Sequence, residues 1–109
     1  MGRASKDSQS YKNVKRMKAI RDNYFHCVNG LRNSLVLSDS NKKSRNLYES
    51  YISDVQNAIK AMDGVDKRII RNEIFNIAQP MWWIPYYSKS TYYRLRKKAI
   101  ERFLKCFYE

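Results

Sequence analysis

Seven side chains close together near the C-terminus could do recognition chemistry: Lys89, Ser90, Thr91, Tyr93, Arg94, Lys97 and Lys98. Ammonium, guanidinium and hydroxyl groups are the donors that meet phosphate oxygens and the edges of bases. The same inventory is poor in catalytic groups. His26 is the only histidine, and without a second ligand nearby it reads as a packing or surface residue. No paired carboxylates sit in an apolar setting, no glycine-rich phosphate loop is present, and no Cys/His cluster has metal-ligand spacing. The expectation is a chain that binds, with no enzymatic activity, no metal and no cofactor.

A helix must position these donors. Ser88 is a good N-cap, since its hydroxyl can accept from an otherwise unpaired amide of the first turn. Tyr87 and Tyr92 occupy the two positions of a hydrophobic staple. Tyr92, Leu95, Ala99, Phe103 and Cys106 then recur at helical spacing on one side, while Ser90, Arg94, Lys97, Lys98 and Lys105 collect on the other. From Ser88 to Lys105 seven basic residues stand against one acid, Glu101. A capped helix with an apolar back and a cationic front suits a DNA major groove. A solvated basic face is the plain alternative.

At 109 residues the chain supports one domain with a modest core. A hydrophobic fraction of 43%, a charged fraction of 29% and few glycines and prolines describe a globular chain. The net charge of +12 favours a polyanionic partner, nucleic acid above all. A membrane surface fits less well, because the basic face lacks an adjoining run of Leu, Phe or Trp. The N-terminus has no apolar leader, and no apolar run approaches membrane-spanning length. Cytoplasmic placement is the expectation. Cys27 and Cys106 read as buried free thiols, a disulfide between them being the alternative.

The remaining pattern is all-α, with about four helices near 10–35, 44–63, 66–77 and 88–107. Residues 1–9 read as a flexible tail and 10–46 as a basic helix and loop. Residues 47–109 form the region that carries the C-terminal helix. In the first helix Tyr11, Val14, Met17, Ile20, Tyr24, Val28, Leu31 and Leu35 recur at gaps of three and four, and Asn29-Gly30 is a candidate break. Ser38 to Ser44 is a loop by composition. Tyr48, Tyr51, Ile52, Val55, Ile59 and Met62 share one face of the second helix, and Gly64 supplies a left-handed residue at its end. Asp66 is the expected cap of a third helix, with Ile69, Ile70, Ile74 and Phe75 inward, closed by Gln79-Pro80. Met81 to Tyr87 is densely aromatic, and Pro85 limits it to a turn. Trp82 and Trp83 form either a hydrophobic plug, which is favoured, or a base-stacking platform.

Val55, Ala58 and Ile59, then Tyr87-Ser88-Lys89-Ser90-Thr91-Tyr92-Tyr93-Arg94-Leu95, with Lys97-Lys98-Ala99-Ile100 and Phe103, carry a resemblance. Over about residues 54–107 the chain resembles the helix-turn-helix of sigma-factor region 4. It is similar to phage late-gene transcription regulators of the ArpU and RinA type, and to a group of small uncharacterised mycoplasma proteins. The resemblance implies a sigma region 4-like unit with 88–104 as recognition helix. Lys89, Ser90, Thr91 and Arg94 would be its groove or phosphate contacts, and Tyr92 and Leu95 its buried positions. Trp82-Trp83-Ile84-Pro85 stands where that motif ordinarily has a small-residue turn. The expected function is therefore a DNA-binding transcription regulator with duplex DNA as partner. The alternatives are a protein that contacts RNA polymerase or a sigma factor, or a basic RNA-binding protein. The acidic positions Glu49, Asp54, Asp63 and Asp66 would serve the polymerase alternative or form a solvated face.

Overall fold

Apolar side chains at gaps of three and four build helices throughout, and the computed structural model is all-α, describing residues 2–36 and 42–108, with side chains for 9–33 and 43–108. Its four helices are α1 (Gly2–Val36), α2 (Lys42–Lys60), α3 (Gly64–Phe75) and α4 (Lys89–Tyr108). No strand occurs among the described residues.

Helix α1 begins at Gly2, well ahead of the expected start near residue 10. No proline lies in that stretch, and Ala4, Lys6 and Gln9 are good helix formers. At 1.5 Å per residue its 35 residues reach about 52 Å, which matches the 52 Å long axis of the molecule. Met17, Ile20, Tyr24 and Cys27 form its buried stripe. Tyr11, expected on that stripe, is exposed instead, with the Lys15 ammonium 4.5 Å from its ring centre. The side chain of Leu35 and residues 38–41 of the expected loop lie outside what the structure describes, and Lys42 to Ser44 belong to α2.

The expected break at Asn29-Gly30 does not occur. Gly30 has another use. A Cβ placed there would lie 2.6 Å from Cζ of Tyr48, so the missing side chain lets the Tyr48 ring rest on α1. His26 completes the contact, edge-on to Tyr48 at 6.1 Å between ring centres.

Helix α2 buries Val55, Ala58 and Ile59, followed by Met62 just past its end. Gly64 does adopt the left-handed conformation, with φ +53°, at the first position of α3. Asp63, not Asp66, is the N-cap of α3, and its carboxylate makes no capping bond. Asp66 lies in the first turn and is committed to Arg102. Ile69, Ile70 and Ile74 are buried as expected, whereas Phe75 is exposed and meets Tyr24 edge-on at 5.3 Å. Helix α3 stops at Phe75, where the Asn76 N–H bonds the Asn72 carbonyl at 3.0 Å, before the proline that was expected to close it.

The helices pack chiefly in two pairs, α1 on α2 and α3 on α4, with α4 also touching α1 and α2. Val55, Ile69, Ile70, Ile74, Ile100 and Phe103 are the fully buried centre where the pairs meet. No helix among the described residues is long and apolar enough to cross a membrane.

Candidate nucleic-acid interface

The N-terminus of α4 is fixed by local hydrogen bonds. The Thr91 N–H donates to Oγ of Ser88 at 3.3 Å, and the Ser88 hydroxyl donates to Oγ1 of Thr91 at 2.9 Å. Ser88 is thus the cap that its position predicts. The staple is also in place, with the Tyr87 and Tyr92 rings 6.3 Å apart.

Residues 76–88 join α3 to α4, and their core is a run of turns. Tyr86 N–H and Tyr87 N–H both reach the Trp83 carbonyl, at 2.9 and 3.0 Å. Trp83 is 7% exposed and stacks on Tyr92, with 4.6 Å between rings and 4° between planes. Trp82 meets the same tyrosine edge-on at 5.8 Å. The plug therefore holds for Trp83, with Trp82 half-buried beside it. Arg68 of α3 covers this segment, its guanidinium 4.3 Å from the Tyr86 ring and 5.4 Å from Trp82. Burial pushes the Tyr92 hydroxyl up to about 12, and the nearby Glu73 carboxylate adds to the shift. Tyr92 therefore stays neutral well beyond the pH at which an ordinary phenol ionises.

The back of α4 buries Tyr92, Ala99, Ile100, Phe103 and Leu104, with Leu95 half-buried. Cys106, expected on this side, is exposed; Cys27 is buried, its thiol pushed up by burial, and both are free. Cys106 lines a surface pocket with Ala61, Met62 and Asp63, beyond the end of α2.

Two of the seven bases are spent on α3. Arg96 pairs with Glu73, both largely shielded, and Arg102 pairs with Asp66. Lys89, Arg94, Lys97, Lys98 and Lys105 are exposed and carry no ion pair among the described residues. Ser90 and Tyr93 are exposed beside them and Thr91 is half-buried through its tie to Ser88. The expected set thus lies on one helix, most of it on the outward side, with Glu101 as the only acid of α4.

Sequence reasoning missed two parts. Arg68 stacks on the linker across the α3–α4 seam, and a groove of about 430 Å³ between α1 and α4 is lined by Ser10, Val14, Tyr93, Arg94, Arg96, Lys97 and Ile100. Helical spacing tells which residues share a face, but not which helix lies opposite. Among the described residues no group of three or more His, Cys, Asp or Glu side chains could hold a metal ion. No protein-family model, curated protein or solved structure matches the chain.

Proposed function

We propose that the protein is a cytoplasmic, non-enzymatic, sequence-specific DNA-binding transcription regulator that lays α4 in the major groove of duplex DNA. One observation carries this reading. Helix α4 is capped, anchored from behind by the Trp83–Tyr92 stack, and faces solvent with five cations that carry no ion pair among the described residues, with Glu101 as its only acid. Such a helix can enter the groove without losing its hold on the core. The resemblance of residues 54–107 to helix-turn-helix phage regulators supports the same reading.

The donors divide by place. Lys97 and Lys98, beyond the first two turns, take phosphates. Lys89, Ser90, Thr91, Tyr93 and Arg94 lie at the groove-entering end, and Arg94 can pair with a guanine edge. The test is a selection on randomised duplex with wild type, Arg94→Ala and Lys97→Ala side by side. Arg94→Ala is expected to cost about 1–3 kcal/mol on the preferred site and to relax one base position. Lys97→Ala is expected to weaken all sequences alike and to lower the salt slope by about one. If the wild type enriches no motif, sequence-specific reading is wrong.

A second reading draws on the linker. Ile77, Met81, Ile84 and Tyr86 are all more than half exposed, an unusual density of apolar surface for one short segment. That surface favours a protein partner, RNA polymerase or a sigma factor, over structured RNA. Pull-down with polymerase, lost on Ile84→Asp, would separate it from the DNA reading.

A further inference from the structure

The groove between α1 and α4 lies beside the donors of the proposed interface but is built by two elements. One wall is Ser10 and Val14, one turn apart on α1; the other is Tyr93, Arg94, Lys97 and Ile100 of α4. The floor is apolar and the α4 rim cationic. Along α1 the same row continues from Val14 to Lys18, one turn on, and to Arg21 beyond it. Lys18 is exposed. Arg21 is half-buried, and among the described residues its Nε has no hydrogen-bond partner, only a long ion pair of 3.7 Å to the exposed Asp22 carboxylate.

Among the described residues that line the groove there is no carboxylate. A cationic α4 rim, hydroxyls on Ser10 and Tyr93, and the cations that continue the α1 row suit a strand of linked phosphates, whose charge is continuous, better than a single small anion. Ser10 to Arg21 covers about 16 Å of helix axis, long enough to follow several phosphates.

We infer that the α1–α4 groove is a second DNA-binding site, seating a sugar-phosphate backbone of the duplex, with Lys18 and Arg21 of α1 as phosphate contacts opposite Lys97. The inference rests on the duplex-DNA reading above and assigns the basic half of α1 a part in it. Helix α1 then fixes register and adds affinity without selecting bases.

The experiment measures duplex affinity of the full chain against salt for wild type, Lys18→Ala/Arg21→Ala, Lys97→Ala, Ser10→Glu and Ser50→Glu. Ser50 is exposed on α2, away from the groove-lining residues, and matches the charge added at Ser10. Thermal melts by circular dichroism identify any variant that has lost its fold. The double variant is expected to lower the salt slope by about 1.8, two contacts at roughly 0.9 each. It should weaken preferred and unrelated duplexes by the same factor. Ser10→Glu is expected to lose severalfold affinity while Ser50→Glu stays near wild type. An unchanged slope in the folded double variant, with Lys97→Ala still lowering it, overturns the α1 site and leaves the reading of α4 standing. Equal losses in the two glutamate variants overturn it as well, because the effect is then overall charge. If wild type shifts no duplex at all, both fall together.

Discussion

Tyr92 is the side chain on which the candidate interface turns. It is 3% exposed, and Trp83, Trp82 and Tyr87 all contact its ring. Trp83→Ala removes the stacked face and leaves a cavity behind α4, so a loss of about 3–5 kcal/mol is expected in chemical denaturation. A loss under about 1 kcal/mol would mean the stack contributes little. The raised pKa of Tyr92 adds a pH dependence. The unfolded chain ionises this phenol near 10, whereas the folded protein keeps it neutral up to about 12. Its stabilising effect is complete below pH 10 and declines as pH rises toward 12. Wild type is expected to lose stability across that window more steeply than Tyr92→Phe, by up to about 1.4 kcal/mol per pH unit. Parallel curves for the two proteins would show that Tyr92 does not titrate as described. These roles were partly legible in the sequence. Ser88 and the staple tyrosines announce a helix start by type and offset. The choice of Trp83 over Trp82 as the buried ring was not legible, because a turn containing Pro85 has no periodicity from which to read direction.

At the level of elements, spacing recovered the four helices and most of the core, since each apolar stripe repeats for several turns. It failed at Cys106, which continues the α4 stripe by spacing but is exposed at the margin of α2, lining a surface opening with Asp54, Ala58 and Ala61. It failed again at Asn29-Gly30, where glycine signals a break from sequence alone but serves close approach in the fold. That distinction is measurable. Alanine in a helix interior is worth about 1 kcal/mol over glycine, yet at position 30 its methyl would strike the Tyr48 ring. Gly30→Ala is therefore expected to give no gain in the wild-type background. In a Tyr48→Ala background the same change should stabilise by about 1 kcal/mol. Equal effects in the two backgrounds, read from a double-mutant cycle, would remove the contact from the account.

Across the whole molecule, the net charge of +12 was plain from composition, but its distribution was not. Composition counts Arg96 and Arg102 with the other bases of α4, whereas the fold pairs them with Glu73 and Asp66 of α3. The groove was illegible for a related reason: Ser10 and Arg94 are remote in sequence, and only the packing of α1 on α4 brings them to one opening. Under the duplex-DNA proposal, the two α3 carboxylates act as a governor on loitering. A guanidinium held to its own protein cannot grip whatever polyanion drifts past, so background dwell time stays short and the chain can sample one stretch of duplex and move to the next. Relaxing either pair would make the surface stickier in proportion as the α3–α4 seam loosened, slowing the search for a target just when the helix that must recognise it is held less firmly.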